Sequence, residues 1–179
     1  MRYSRSVAGD PELVQIVDAA LAEAVRKAGV WLVCRPGCME CCLGPFPITQ
    51  LDAGRLREGL AELERREPGR AAQVRRRARE YVARAADAGD EPCPVLDPLT
   101  GTCDLYSARP ITCRVFGPPI RNGTNALGVC ELCFHGASDA QIAACEVQVD
   151  ADNLESTLLH ELERATGKRG ETMVAFALL

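Results

Sequence analysis

The stretch Cys34–Cys42, read as CRPGCMECC, places four thiols within nine residues. Their spacing is C-x3-C-x2-C-C. Packing of an apolar core gives no reason for four thiols so close together, whereas soft sulfur ligands suit zinc, copper(I) and iron–sulfur clusters. Intervals of two or three residues let one loop direct several sulfurs at a common point. The stretch therefore predicts a metal site around which the rest of the chain is organised.

Composition limits the kinds of partner and the cellular compartment that we expect for this protein. A net charge of -4 over 179 residues gives no reason to expect a nucleic-acid or acidic-membrane partner, and only 4% of the residues are aromatic. The N-terminal sequence has no signal-peptide pattern, and the apolar runs are too short to span a bilayer. We therefore expect a cytoplasmic protein that binds neither nucleic acid nor membrane. In that compartment the ten cysteines are ligands or redox groups more often than disulfides.

Apolar residues recur at helical spacing, and no alternating strand–helix pattern is present. We predict a mainly α fold, with amphipathic helices around a loop-rich, metal-binding cysteine core. The prediction is a single domain over residues 1–179. Its parts are an N-terminal helix at 10–29, a cysteine-cluster region at 34–133 and a C-terminal helical segment at 138–179.

Local signals mark several ends and turns. Asp10 is predicted to cap the first helix and Gly29 to end it. Thr49, with an acidic residue three positions later, resembles the capping box of a second helix. A third helix is predicted over 70–86 and carries a row of arginines. We expect a solvated face balanced by neighbouring glutamates, in preference to a phosphate or RNA surface. Turn residues between Cys93 and Cys103 predict that the chain returns on itself there.

Nine of the ten cysteines are candidate metal ligands. Cys93, Cys103 and Cys113 recur at equal intervals beside turn or proline residues, and the interval in Cys130-x2-Cys133 is common in zinc sites and in redox dithiols. Cys145 lies in an apolar pattern and is predicted to be a core thiol, while His135 is a weaker candidate zinc ligand. The predicted ligands are Cys34, Cys38, Cys41, Cys42, Cys93, Cys103, Cys113, Cys130 and Cys133.

The sequence matches two catalytic motifs only in part. The sequence HELER at His160 lacks the second histidine of the H-E-x-x-H metalloprotease motif. The spacing C-x3-C-x2-C is that of radical S-adenosylmethionine enzymes, but this chain is too short and too helical for their βα barrel. Glu40 also stands where that family has an aromatic residue. Neither activity is expected.

The chain resembles the YkgJ-type cysteine-cluster family, described as a putative zinc- or iron-chelating domain with a CxxCxxCC signature. The matching residues are Cys38-x2-Cys41-Cys42, the CPVL sequence at Cys93, CDLYSARPITCR at 103–114 and a later cysteine near Cys130 or Cys133. The first interval here is three residues instead of two. The resemblance implies metal binding by these cysteines without one common reaction, and relatives include flagellin lysine methylases.

Two arginines match the family's R-P and C-R positions. Arg109 and Arg114 are expected to offset thiolate charge next to the metal or to bind an anionic substrate.

Eight or nine thiolates exceed what one zinc ion needs. They suffice for two zinc sites, for one [4Fe-4S] cluster with thiols to spare, or for two clusters. The dense C-x2-C-C run and the pair Cys93-Pro94 favour iron–sulfur ligation, with zinc as the alternative. The expected role of the cluster is structural, electron-transferring or that of a cofactor. A cluster-dependent modifying enzyme related to flagellin lysine methylases, and a metal chaperone or storage protein, are the other possibilities. No redox or protein partner is identified.

Overall fold

Helices dominate the part of the chain that the structure describes. The structure is a computed structural model, and it describes residues 8–84, 91–121, 127–150 and 152–179. Seven α-helices account for most of the regular structure in these residues, and the strands form three short antiparallel pairs. The prediction of a mainly α fold is confirmed. Within the described residues, no helix is long and apolar enough to cross a membrane.

The chain divides into two compact units, each assembled from segments distant in sequence. The first unit contains Pro36–Pro110 and Leu159–Leu179, and the second contains Ala8–Arg35 and Ile111–Leu158. The single-domain organisation over residues 1–179 stays a prediction.

The first unit is built on two long helices and on the C-terminal segment of the chain. Strand β1 (Pro47–Thr49) leads into α2 (Gln50–Arg66), and α3 (Pro68–Arg84) packs on α2. Strand β6 (Glu171–Met173) pairs with β1, and α7 (Val174–Ala177) packs on both long helices. The core joins side chains of β1, α2, α3 and the C-terminal segment, including Ile48, Leu56, Leu60, Val74, Val174 and Leu178. The apolar C-terminal segment at 174–178 is therefore part of this core.

Sequence signals explain where the two long helices begin and end. The Thr49 hydroxyl accepts a hydrogen bond from the Asp52 amide at 3.2 Å, which confirms the predicted cap of α2. Pro68 fits the first position of α3, where its missing N–H has no intrahelical partner to lose. The predicted end of α3 at Ala86 lies outside the described residues.

The second unit contains helix α1 (Asp10–Ala28), the short helices α4 (Ile111–Arg114) and α5 (Asp139–Ala144), and the paired strands β4 (Ile120–Arg121) and β5 (Leu127–Gly128). The capping residue of α1 is Gly9 in a left-handed conformation, so the prediction of Asp10 as cap was one residue late. Gly29 ends the helix as predicted. Ser138 forms a capping box for α5. Helix α6 (Leu154–Thr166) spans the division between the units.

The hairpin of the first unit is the element that positions two of the cysteines. Strands β2 (Leu96–Asp97) and β3 (Thr102–Cys103) are antiparallel, as the turn residues predicted. The short 3-10 turn that follows, Tyr106–Ala108, packs against α2. A Cβ at Gly59 of α2 would overlap the Cβ of Ala108, so glycine is required for this close approach.

We therefore expect Gly59→Ala to destabilise the first unit by about 1–3 kcal/mol, because the added methyl group overlaps Ala108. Gly54→Ala is the matched control on the same helix, since a Cβ there meets no atom within 4 Å. It should stabilise the chain by about 0.5–1 kcal/mol, because alanine loses less backbone entropy in a helix. Urea unfolding of both metal-free variants measures the difference. Equal effects would contradict the proposed contact.

Candidate metal centre

The C-x2-C-C part of the first cysteine stretch forms a tight turn in the first unit. Residues Glu40–Cys42 adopt one turn of 3-10 helix, and the Cys42 amide donates to the Met39 carbonyl at 2.8 Å. This turn brings the Sγ atoms of Cys41 and Cys42 to 3.9 Å from each other, within thiol hydrogen-bonding distance. All ten cysteines lie in described ranges and are thiols in the structure.

Backbone hydrogen bonds join this turn to the second cysteine region. The Cys93 amide donates to the Cys42 carbonyl at 2.7 Å, and the Gly44 amide donates to the Glu91 carbonyl at 2.9 Å. The Tyr81 hydroxyl of α3 donates to the Gly44 carbonyl at 3.1 Å. Segments fifty residues apart are thus held together by peptide groups, so their adjacency does not depend on the sulfurs.

The β2–β3 hairpin carries the next cysteine. Cys103 pairs with Leu96 across the hairpin. At its tip, the Asp97 carboxylate accepts from the Leu99 amide at 2.9 Å and from the Thr100 hydroxyl at 3.0 Å. Tip residue Gly101 lies close to Gly37, because a Cβ at position 101 would be 3.5 Å from the Gly37 Cα and carbonyl oxygen. The tip therefore touches the turn that precedes Cys38.

A buried carboxylate ties the hairpin to α3. The Asp104 side chain is 1% exposed and forms ion pairs with Arg70 and Arg77. Arg77 also donates from Nε to the Pro94 carbonyl at 2.8 Å. Arg77 hence contacts both cysteine-bearing segments, at Pro94 and at Asp104, while Arg70 contacts Asp104.

The ion pairs of Arg70 and Arg77 with Asp104 correct part of the prediction for the arginine row. Glutamates do balance four of its arginines, in the pairs Glu67–Arg70, Glu64–Arg75, Glu80–Arg76 and Glu91–Arg84. The inward role of Arg70 and Arg77 was missed. Their seven-residue spacing places them on one helix face, and an acidic residue directly after Cys103 is the signal that could have indicated it.

Arg109 lies close enough to two of these thiols to affect their ionisation. Hydrogen bonding to the Cys42 thiol, followed by burial, raises the pKa of Cys41, and the Arg109 charge acts in the opposite direction. Burial raises the pKa of Cys103, where Arg109 again opposes and the Cys41 charge adds to the rise. The Arg109 guanidinium stacks on the Tyr106 ring, 3.7 Å from its centroid. Cys41, Cys103 and Arg109 therefore share one electrostatic environment.

The second unit contains the other five cysteines. Cys34 precedes the turn at 36–37, and Cys113 lies on α4. Cys130 and Cys133 form a turn in which the Cys133 amide donates to the Cys130 carbonyl at 2.9 Å. Cys145 directly follows α5 and is 3% exposed, as expected for a core thiol. His135 is exposed.

The predicted arginine of this unit has a structural partner. Arg114 is 7% exposed, and its Nη1 lies 3.0 Å from both carboxylate oxygens of Asp18 on α1. This pair holds α4 against α1. Whether Arg114 also acts on a metal or an anion stays a prediction.

The donor set fits a soft metal, although the sulfurs do not converge on one point. Among residues 8–84, 91–121, 127–150 and 152–179, no three Cys, His, Asp or Glu side chains form a group that could hold a metal ion. The structure instead brings Cys41, Cys42, Cys93 and Cys103 onto adjoining backbone segments of the first unit. Thiolates are the ligands that zinc and iron–sulfur centres use, and their binding releases the thiol protons.

The comparisons with known proteins agree with this donor chemistry. A family model described as "CxxCxxCC: Putative zinc- or iron-chelating domain" matches residues 33–133, more than half of the chain. The matched range contains all nine predicted ligands. No curated protein and no solved structure matches the chain.

The Asp104 network predicts a measurable loss of stability. We expect Asp104→Asn to destabilise the metal-free protein by about 2 kcal/mol, because it removes the anion that two arginines surround. The loss falls below that of a fully buried pair, since Arg70 is 37% exposed. Glu62→Gln is the control, because it removes an exposed i,i+3 pair with Arg65 and should cost less than about 0.5 kcal/mol. Urea unfolding compares the two, and equal losses would contradict the network's role.

Proposed function

The chain belongs to the CxxCxxCC family, whose domain is described as zinc- or iron-chelating, and we propose that its first unit holds a [4Fe-4S] cluster in a structural or electron-transfer role. The observation that carries the proposal is the assembly of three cysteine segments on one backbone framework. The Cys42–Cys93 peptide hydrogen bond and the hairpin tip against Gly37 hold these segments together without metal.

The first unit offers five thiols, and a cubane cluster takes four. Thiolates on different irons of a cubane lie farther apart than the 3.9 Å between Cys41 and Cys42, so only one of this pair fits as a ligand. We take Cys41 as the ligand of this pair, because it lies near both Cys103 and Arg109. The proposed ligands are Cys38, Cys41, Cys93 and Cys103.

When bound, such a cluster supplies one-electron transfer at its irons. Residues of the chain itself shape the site that would hold the cluster. Arg109 offsets part of the negative charge that four thiolates bring into a half-buried site, and its stacking on Tyr106 limits the directions in which it can point. Tyr81 holds the peptide after Cys42 and excludes water from that side, since it is 5% exposed.

Zinc is the second candidate, and one distance favours it. Two sulfurs bound to one tetrahedral zinc lie about 3.8 Å apart, given Zn–S bonds of about 2.3 Å. The Cys41–Cys42 separation of 3.9 Å is close to that value. A zinc site would therefore use both adjacent thiols, and the prediction of Cys42 as a ligand belongs to this candidate.

Removal of single thiols separates the two candidates. For the cluster, we expect Cys41→Ser and Cys103→Ser to lose the iron, the acid-labile sulfide and the visible absorbance that dithionite bleaches, because each removes a ligand. Cys42→Ser should retain all three. The measurement is metal and sulfide analysis of protein purified without oxygen.

Cys145→Ser is the matched control for exchange of a thiol by a hydroxyl, and it should leave iron and sulfide unchanged, because this thiol belongs to the second unit. Colourless protein with zinc and no sulfide would overturn the cluster. Loss of that zinc in both Cys41→Ser and Cys42→Ser would then establish the second candidate.

The charge of Arg109 gives a second test. If a cluster is present, Arg109→Ala should make its reduction potential more negative, because the cation favours the more negatively charged reduced form. Arg109→Lys should retain most of the wild-type potential. Arg65→Ala, which removes an exposed arginine of α2, is the control and should leave the potential unchanged. A potential that is equal in the wild type and Arg109→Ala would show that Arg109 does not act on the cluster.

A further inference from the structure

The turn that carries Cys130 and Cys133 has chemistry that the proposed cluster does not use. We propose that these two residues form a redox-active dithiol that exchanges with a disulfide of a polypeptide partner. A disulfide needs two sulfurs, whereas a tetrahedral metal needs four ligands, and no three Cys, His, Asp or Glu side chains of residues 8–84, 91–121, 127–150 and 152–179 form a metal-binding group. These sulfurs are not those of the proposed cluster, so either proposal can fail alone.

The backbone of the turn suits closure of a disulfide. The Cys133 amide donates to the Cys130 carbonyl at 2.9 Å, which is the hydrogen bond that closes a four-residue β-turn. The first and last Cα atoms of such a turn lie less than about 7 Å apart, and a disulfide joins Cα atoms that are about 4.4–6.8 Å apart. The turn therefore meets the backbone requirement for a bond between its two terminal thiols.

Backbone contacts on both sides fix this turn in place. The Cys130 amide donates to the Gly117 carbonyl at 3.4 Å, and the Phe134 amide donates to the Trp31 carbonyl at 2.8 Å. Phe134 has φ 62°, a left-handed conformation that is rare for a large side chain and persists only where its surroundings over-determine it. A fixed turn favours closure of the disulfide, because less conformational entropy is lost when the second thiol attacks.

Gly117 also brings a third thiol close to this turn. A Cβ at position 117 would lie 3.0 Å from the Cys34 Sγ, and the φ of 118° is one that other residues rarely adopt. The absence of a side chain at 117 therefore leaves the Cys34 sulfur beside the residue that accepts the Cys130 amide. Cys34 is the alternative disulfide partner for Cys130, and its replacement by serine separates the two pairings.

The two thiols of the turn differ in exposure, which decides their order of reaction. Cys130 is half-buried, whereas Cys133 is 5% exposed and lies in an apolar cluster with Ala28 and Phe134. A thiol must be accessible to attack a disulfide of another molecule, so Cys130 is the attacking residue. Cys133 is the resolving residue, because it has to reach only the neighbouring sulfur of its own turn.

The exchange takes two steps. The Cys130 thiolate attacks one sulfur of the partner's disulfide, so the partner's S–S bond breaks, a mixed disulfide forms and the first partner thiolate leaves. The Cys133 thiolate then attacks the Cys130 sulfur, which forms the Cys130–Cys133 bond and releases the second partner thiolate. The dithiol loses two electrons and two protons, and the partner's disulfide gains both and becomes two thiols.

The residues around the attacking thiol favour a polypeptide disulfide with apolar neighbours. Val129 and Leu132 lie within two residues of Cys130 and are 37% and 43% exposed. Phe116, in the segment that binds the Cys130 amide, is 40% exposed. Exposed apolar side chains grouped in this way favour contact with apolar side chains of a partner. The exposed carboxylate of Glu131 repels small anionic disulfides such as oxidised glutathione.

A disulfide-linked peptide dimer with leucine on both sides of its cysteine is a suitable probe. We would add it to the unmutated full chain, reduced and kept without oxygen. Release of two peptide thiols per chain is expected, and peptide mass spectrometry should find a Cys130–Cys133 disulfide. Because this experiment needs no variant, it applies even if a variant fails to fold.

Three outcomes would overturn the dithiol. The first is a product in which Cys34 and Cys130 are joined. The second is exchange confined to the thiols at 38–103. The third is a Cys130–Cys133 pair that reacts with the peptide only after a chelator has removed zinc, which would make the turn a metal site.

Single replacements separate the two steps. Cys133→Ser should accumulate a mixed disulfide between the peptide and Cys130, because the resolving thiol is absent. Cys130→Ser should slow the release of peptide thiol by about 10-fold or more, because the attacking thiol is absent. Cys145→Ser removes a buried thiol of the same apolar cluster and is the matched control, and it should retain the wild-type rate, as should Cys34→Ser. Equal rates in Cys130→Ser and Cys145→Ser would overturn the assignment of Cys130.

The choice of partner has a test of its own. Oxidised glutathione should react with the unmutated chain about 3-fold or more slowly than the peptide, because its charge is repelled by Glu131. Leu132→Ser should slow the reaction with the peptide by about 3-fold and leave that with glutathione unchanged, since only the peptide contacts the apolar side chain. Equal rates with both disulfides would overturn the polypeptide partner.

Discussion

Repulsion between neighbouring thiolates is the constraint on which the first unit depends. Two sulfurs 3.9 Å apart cannot both be charged in a half-buried site unless a cation compensates them. Without metal, protons meet this requirement, and the Cys41–Cys42 hydrogen bond raises the pKa of Cys41 accordingly. When a metal ion binds, it replaces the protons. The positive charge of Arg109 offsets thiolate charge with or without the metal. The local charge balance, more than apolar packing, accounts for the residues found around these sulfurs.

The contacts that hold the cysteine segments in place lie at a distance from the sulfurs. Peptide hydrogen bonds connect the first cysteine turn to Cys93, and the Asp104 network fixes the hairpin to α3. Behind both lies an apolar core built from α2, α3, α7 and β1. Small zinc modules collapse when the metal is removed, because the metal is their core. The first unit has a core of its own, so its thiols are held close to one another before any metal binds.

The sequence allowed the helices to be predicted better than the contacts between them. Apolar periodicity and caps such as Thr49 and Ser138 are local signals, and they identified the helices and the hairpin. The cap of α1 was misplaced by one residue, because Asp10 is as good a capping residue as its neighbour. The burial of Asp104 and the roles of Gly59 and Gly117 depend on residues far away in sequence, and no local pattern encodes such partners.

Prediction of the candidate site from the sequence has the same limit, because local patterns do not show which distant segments meet. Spacing predicts nine cysteine ligands, all within the range 33–133 that the family model matches, and their role as ligands stays a prediction. It could not assign them to groups, because Cys34 and Cys38 are four residues apart and yet belong to different units. The membership of a unit is decided where the chain turns, at Pro36 and Gly37, and not by the interval between sulfurs.

The interleaving of the two units has a consequence for biosynthesis. Strand β6 and helix α7 complete the core that supports the first cysteines, but they are made about 130 residues later. At roughly 5–20 residues per second, the nascent thiols wait on the order of ten seconds before their scaffold can close. During that interval they meet oxidants and competing metals as an open chain. Loading of the correct metal therefore depends on events after β6 and α7 have been made, and a fragment cut to residues 33–133 would lack this strand and helix.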